Sequence, residues 1–101
     1  MNVIRETQEF SDWLDRLKDE DGKVRILARI RSASEGNFGD HQSLGDGILE
    51  MRIHFGPGYR LYYAREGRQI YLLILGGAKN TQRRDIQQAK KLWKTIQEGD
   101  L

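Results

Sequence analysis

Apolar residues at helical spacing characterise the first third of the chain. Residues 2–6 form a short segment with two β-branched side chains, which predicts a first strand, and Thr7 follows as a candidate helix cap. The next apolar residues recur at positions i, i+3, i+4 and i+7, as in an amphipathic helix: Phe10, Trp13, Leu14 and Leu17. Asp21-Gly22 interrupts this pattern, and a second helix is predicted from about Lys23 to a stop at Ser32–Gly36. Two helices with so short a break predict a helical hairpin.

From about Gln42 the period changes from 3.6 to 2, the spacing of a half-buried strand. The alternation places apolar and polar side chains on opposite sides, with Leu49, Met51, Ile53 and Phe55 against Glu50, Arg52 and His54. Gly56-Pro57-Gly58 predicts a turn, and Tyr59–Arg65 predicts the returning strand. After a second turn at 66–68, the apolar run Ile70–Leu75 predicts a central strand that ends at Gly76-Gly77.

A last helix is predicted from about Thr81, with one apolar side made of Ile86, Ala89, Trp93 and Ile96. The predicted order is therefore β-α-α-β-β-β-α over one domain, residues 1–101. This is an α+β fold, an antiparallel-rich sheet with the N-terminal helical hairpin packed on one face.

The predicted hairpin brings several polar side chains together. If Phe55 pairs with Tyr59, then His54 lies opposite Arg60, Arg52 opposite Tyr62 and Glu50 opposite Ala64, all on one face. A solvated sheet face explains such residues as well, since its charged pairs contribute only tenths of a kcal/mol. Crowding of like charges instead favours an anion such as phosphate, which arginine binds in a bidentate manner. Spacing alone leaves both interpretations open.

Composition and charge narrow the class of protein. At 101 residues, 38% hydrophobic and 32% charged, the chain is typical of a single globular domain. It contains no cysteine and two separated histidines, so neither a disulfide framework nor a metal site is expected. No apolar run could span a membrane and no secretory signal is recognisable, so we expect a cytoplasmic protein.

The net charge of +2 hides an asymmetry between the two halves of the chain. Residues 1–50 carry seven Lys/Arg against eleven Asp/Glu, a net of −4, whereas residues 51–101 carry ten against four, a net of +6. A basic half indicates a polyanionic partner, while charges that interleave in the fold and serve only solubility explain it equally well. Lys79 supports an anion site, because it follows the Gly76-Gly77 pair just before the last helix, and helix N-termini attract anions. The GG-x-K pattern alone is not a phosphate-binding loop of the Walker type.

Two segments, LEMRIHFGPGYRLYY (residues 49–63) and IYLLILGGAKNTQRRDIQQAKKLW (residues 70–93), resemble the RelE/ParE superfamily of bacterial toxins. The similarity is greatest to the HigB-like, phage-related "addiction module killer protein" branch and is strongest over residues 46–96. The resemblance implies the toxin of a type II toxin–antitoxin module, with a helical hairpin on a curved antiparallel sheet. Members with RelE-like activity cleave mRNA in the ribosomal A site without a metal or cofactor, by attack of the 2′-hydroxyl that leaves a 2′,3′-cyclic phosphate.

The same resemblance implies roles for individual residues and partners. Arg60 would stabilise the transition-state phosphate, with Arg52 and Lys79 as further cations. The role of His54 as base or acid follows from its position on the same face and from an imidazole pKa near neutral pH, not from the resemblance. RNA contacts are assigned to Tyr62, Arg83 and Arg84. The implied partners are a HigA-like helix-turn-helix antitoxin, the ribosome and mRNA, with operator DNA bound only through the antitoxin complex.

The chain also departs from the RelE pattern. RelE-type enzymes often carry a tyrosine near the C-terminus, where this chain has Trp93, and the acidic Glu50 is unusual in a surface that faces RNA. Two alternatives therefore stand beside the nuclease. One is a ParE-like toxin that inhibits DNA gyrase without catalysis, and the other is a degenerate phage protein that keeps the fold as a binding module.

Overall fold

A computed structural model describes residues 1–99 of the chain. Its elements are β1 (Val3–Glu6), α1 (Gln8–Arg16), α2 (Glu20–Ser34), β2 (His41–Gly45), β3 (Ile48–Ile53), β4 (Tyr59–Gly67), β5 (Ile70–Ala78), a 3₁₀ turn (Lys79–Thr81) and α3 (Gln82–Gly99). The predicted domain also includes residues 100 and 101, which lie outside the described residues. Over residues 1–99 the fold is α+β, with three α-helices and a five-stranded mixed sheet.

The strands lie in the order β1-β5-β4-β3-β2. β1 runs parallel to β5, and the other three neighbouring pairs are antiparallel, as an antiparallel-rich sheet requires. The predicted order lacked β2. This strand is almost entirely exposed and polar, so it has no apolar alternation, and its pairing with β3 defines it instead.

The helical hairpin forms as predicted, but its break lies earlier in the chain. Thr7 caps α1 by accepting a hydrogen bond from the Phe10 N–H at 3.0 Å. Asp19 caps α2 in the same way, accepting from the Gly22 N–H at 3.0 Å. Asp21-Gly22 therefore lies in the first turn of α2 rather than between the helices, because an acidic cap and acidic first turn favour a helix start there.

Helices cover both faces of the sheet: the two N-terminal helices pack on one face, as predicted, and α3 packs on the face that carries the predicted polar residues. α1 and α2 cover the face formed by Met51, Ile53, Leu61 and Tyr63. α3 covers the opposite face, where Ala89 and Trp93 pack against Ile48, Tyr62 and Ala64. The supposed polar face thus carries enough apolar residues to form a second core layer.

Gly76 and Gly77 lie within β5 and do not end it. A Cβ built on Gly76 would lie 2.2 Å from the Trp13 ring, and one on Gly77 would lie 2.1 Å from Asp85 Oδ2. The two glycines therefore let α1 and α3 approach the strand closely from opposite faces.

Candidate anion-binding site

The β3–β4 hairpin brings Arg52 directly opposite Arg60. Ile53 pairs with Tyr59 and Glu50 with Tyr62, so the register differs by two residues from the predicted one. The cause is the turn, in which the Phe55 carbonyl accepts a hydrogen bond from the Gly58 N–H at 2.9 Å and so cannot pair with Tyr59. A two-residue shift keeps every side chain on its predicted face.

Arg60 is buried, at 6% exposure, on the face covered by α3. Its Nε and Nη1 atoms have no hydrogen-bond partner among residues 1–99. The backbone partner of Arg60 in β5 is Gly77, which Asp85 approaches closely, and the Asp85 carboxylate accepts a hydrogen bond from the Thr81 hydroxyl at 2.6 Å. A buried guanidinium with unused donors is costly unless an anion binds it.

Arg52 differs from its partner because acidic side chains hold it. Its Nε donates to Glu50 Oε1 at 3.1 Å, and its Nη1 lies 3.7 Å from Asp40 Oδ1. Glu50 is fully buried and also accepts a hydrogen bond at 2.8 Å from Gln82, at the start of α3. Glu50 therefore orients Arg52 and fastens α3 over the site.

Tyr62 is fully buried beneath α3. Burial raises its pKa well above the ordinary value, and the negative charges of Glu50 and Asp85 raise it further. Its hydroxyl makes no hydrogen bond of normal geometry within residues 1–99. RNA contact is predicted for Tyr62 from the sequence, whereas in the structure its ring lies beneath α3 and is not exposed.

His54 lies in the loop after β3, where its side chain contacts Asp40. Its Nε2 atom is 2.6 Å from Asp40 Oδ2, and the hydrogen bond from His54 holds the pKa of the Asp40 carboxyl below its usual range. Arg29 connects the segment before β2, which carries Asp40, to β3, because its guanidinium donates to the backbone carbonyls of Phe38, Asp40 and Arg52. His54 therefore connects to Arg52 only through Asp40.

The other predicted cations are exposed. Lys79 lies beside the β3–β4 turn, where its backbone N–H donates to the Gly58 carbonyl at 2.7 Å. Arg83 and Arg84 project from the first turns of α3, and Arg84 Nε is 3.8 Å from Asp85 Oδ1. These cations contribute positive charge around the start of α3 without forming hydrogen bonds to Arg60 within the described part of the chain.

Four polar residues around the two arginines were not singled out from the sequence: Arg29, Asp40, Gln82 and Asp85. A sequence signal existed for Asp85 alone, since an acidic residue in the first turn of a helix is favourable there and draws attention. The others meet the site through contacts distant in sequence, such as that between Glu50 and Gln82, which are 32 positions apart.

Within residues 1–99, no three side chains of the His, Cys, Asp and Glu types are grouped closely enough to hold a metal ion. None of the helices in that range is both long and apolar enough to cross a membrane.

A protein of Haemophilus influenzae, described as uncharacterized, is 46% identical to this chain over 89 residues. The alignment covers 88% of this chain and 90% of the relative. No family model matches the chain. The similarity therefore extends over nearly the whole of both proteins.

Proposed function

The chain belongs to the same family as this Haemophilus influenzae protein, and we propose that it is a RelE/ParE-superfamily toxin of a type II toxin–antitoxin module. In this proposal it is a ribosome-dependent, metal-independent mRNA endonuclease that inhibits translation. The proposal rests on the HigB-like sequence motifs and on the arginine pair of the β3–β4 hairpin.

One observation carries the proposal furthest, the buried guanidinium of Arg60. Two of its nitrogen atoms lack hydrogen-bond partners among residues 1–99, and Arg52 lies directly across the strand pair. A phosphate would supply oxygens for the unused donors and would relieve the repulsion between the two arginines. Phosphate is also the group whose negative charge increases when RNA is cleaved.

The proposed reaction is internal transfer of the phosphodiester. The 2′-oxygen forms a bond to phosphorus, the bond from phosphorus to the 5′-oxygen breaks, and a cyclic phosphate remains. A base takes the proton of the 2′-hydroxyl, and an acid donates one to the leaving 5′-oxygen. Arg60 would stabilise the pentacoordinate phosphorus, Arg52 and Lys79 would add positive charge, and the His54–Asp40 pair is the candidate for proton transfer.

The proposed partners follow from the toxin class. A HigA-like helix-turn-helix antitoxin would neutralise the protein, and that complex would bind operator DNA. The basic start of α3, where Arg83 and Arg84 are exposed, would contact the ribosome and mRNA.

The test is induced expression followed by primer extension on cellular mRNA. Codon-phased breaks in translated messages that disappear in Arg60→Ala, and persist in a control at an exposed arginine, Arg68→Ala, would support the proposal. Arg60→Lys keeps the charge but removes the planar fork, so a folded Arg60→Lys protein without activity separates loss of chemistry from loss of fold. Intact mRNA together with double-strand DNA breaks would contradict the nuclease and support the ParE-like gyrase inhibitor.

A further inference from the structure

Helix α2 is apolar on two sides. Ile26 and Ala33 are fully buried in the core between α2 and the sheet. On the opposite side, Val24 is 65% exposed and Leu27 is 49% exposed, with the small exposed Ala28 beside them. A helix that packs on one layer needs a single apolar stripe, so the second stripe has no use in the fold of residues 1–99.

The second stripe lies among positive charges. Lys23 and Arg31 each lie four residues, about one helical turn, from Leu27. No acidic residue occurs between positions 22 and 34, although residues 1–50 as a whole carry a net charge of −4. Neither cation forms an ion pair within residues 1–99, where the ion pairs involve other basic side chains. We call Lys23, Val24, Leu27, Ala28 and Arg31 the outer face of α2.

A groove borders this face where α2 meets the end of β3. It has a volume of about 280 Å³, and its lining includes Arg25, Ala28 and Phe55. The Arg25 guanidinium lies over the Phe55 ring, 4.3 Å from its centroid, so the groove has a flat apolar wall with a positive charge on it. The outer face and the groove share Ala28 and form one continuous surface.

Single exposed aliphatic residues are common and need no partner. Here two large ones adjoin on one helix, and the surrounding lysine and arginines are unpaired, which is the arrangement of an interface with an apolar centre and a charged rim. RNA would make little use of Val24 and Leu27, because it is bound through its phosphates and by stacking on aromatic rings.

We propose that the outer face of α2 binds an amphipathic helix of a partner protein, with aliphatic side chains at helical spacing and Asp or Glu beside them. The aliphatic side chains contact Val24, Leu27 and Ala28, and the acidic ones pair with Lys23 and Arg31. The outer face of α2 lies on the opposite side of the sheet from the α3-covered face that holds Arg60, and none of its five residues takes part in the proposed cleavage, although His54 lines the adjoining groove. The substitutions that test the inference lie on the outer face alone, so the inference does not depend on the proposed endonuclease activity.

The experiment selects binders from a displayed library of helical peptides of about 16 residues, long enough to match the 15 residues of α2. We expect enriched peptides with aliphatic residues at i, i+3 and i+4, flanked by acidic residues. Leu27→Glu should weaken their binding by about tenfold or more, as should Val24→Glu. Val3→Glu, at a similarly exposed aliphatic of β1 that is 55% exposed, is the matched control and should leave affinity unchanged.

Thermal unfolding of each variant shows that the fold is intact, since both α2 positions face outward. The inference is overturned if no peptide is enriched, if the enriched peptides are not acidic, or if they bind Leu27→Glu as well as the unaltered protein. It is also overturned if a single-stranded RNA of about ten nucleotides, rather than the peptides, protects the α2 amides from hydrogen exchange. None of these readouts measures RNA cleavage, so failure of this inference is distinguishable from failure of the endonuclease proposal.

Discussion

Arg52 and Arg60 face each other across the β3–β4 ladder, yet among residues 1–99 only Arg52 of the two has partners for its charge. Glu50 and Asp40 hold Arg52, whereas Arg60 is 6% exposed and forms no ion pair within residues 1–99. The difference separates two tasks. Arg52 belongs to a network that fixes α3 through Glu50, whereas Arg60 is buried with unused donors.

Replacing Arg60 by methionine should separate stability from anion binding. Without added anion, we expect Arg60→Met to be as stable as the unaltered protein or more stable by about 1–4 kcal/mol, because a buried charge without a partner is removed. Inorganic phosphate should raise the stability of the unaltered protein and leave that of Arg60→Met unchanged. Urea unfolding with and without phosphate measures both effects.

The matched control for that experiment is Arg65→Met, since the Arg65 guanidinium is exposed and donates to two backbone carbonyls of the β4–β5 turn. Arg65→Met should keep the phosphate effect. A large loss of stability in Arg60→Met without phosphate would contradict the interpretation of Arg60 as a guanidinium that lacks partners.

His54 should contribute less to RNA cleavage than Arg60, because it reaches Arg52 only through Asp40 and its side chain is 69% exposed. Under the proposed function, we expect His54→Ala to lower the cleavage rate by about tenfold or less, against about a hundredfold or more for Arg60→Ala. Single-turnover cleavage on programmed ribosomes measures both rates. Equal losses for the two variants would contradict this and make His54 the proton-transfer residue despite its exposed side chain.

The sequence pattern predicts the elements of this fold better than it predicts what covers them. Alternation in β3 correctly assigns each side chain to a face, because the period of a strand is fixed. The same alternation makes Glu50 and Arg60 resemble residues of a solvated face, although both are buried. What covers the face is α3, and this depends on packing between elements distant in sequence.

The hairpin register illustrates a second limit. Composition predicts a turn at 56–58, but the loop begins at His54, because the Phe55 carbonyl bonds to Gly58 within the turn. Turn residues indicate that a chain reverses and do not fix the number of residues in the loop. The direct pairing of Arg52 with Arg60 therefore does not follow from the sequence pattern and is seen only in the structure.

The close approach of α1 to β5 predicts that Gly76 tolerates no side chain. A Cβ at this position would lie 2.2 Å from the Trp13 ring, so Gly76→Ala should destabilise the fold by about 1–3 kcal/mol through overpacking. Trp13→Leu should restore part of the loss when it is combined with Gly76→Ala. The control is Gly99→Ala, where a Cβ would meet no atom within 4 Å. Urea unfolding of the unaltered protein, the two single variants and the double variant measures the coupling between Gly76 and Trp13. Additive effects of the two substitutions would contradict the contact.

The hydrogen bond from the Tyr59 hydroxyl to Asp19 Oδ2, at 2.7 Å, predicts how stability depends on pH. It joins the start of α2 to the start of β4 across 40 residues. The bond from Tyr59, together with the Gly22 N–H, holds the pKa of Asp19 below its ordinary value of 3.8. A lowered carboxyl pKa stabilises the folded protein above pH 3.8, and this contribution is lost as the pH falls through the lowered folded value.

At alkaline pH the change in stability comes from Tyr59 itself. Burial raises the pKa of its hydroxyl from 10.0 to about 12, and the hydrogen bond to Asp19 contributes to the same rise. Unfolding releases that proton above pH 10, so stability falls between pH 10 and 12. Tyr59→Phe should therefore be less stable than the unaltered protein at neutral pH. The difference in free energy of unfolding between the two proteins should become smaller at acid pH and at alkaline pH. Urea unfolding midpoints measured from pH 3 to 11 test this. Tyr71→Phe is the control, and its stability should fall at acid pH as that of the unaltered protein does. A difference between Tyr59→Phe and the unaltered protein that is constant with pH would contradict the role of the Asp19 bond.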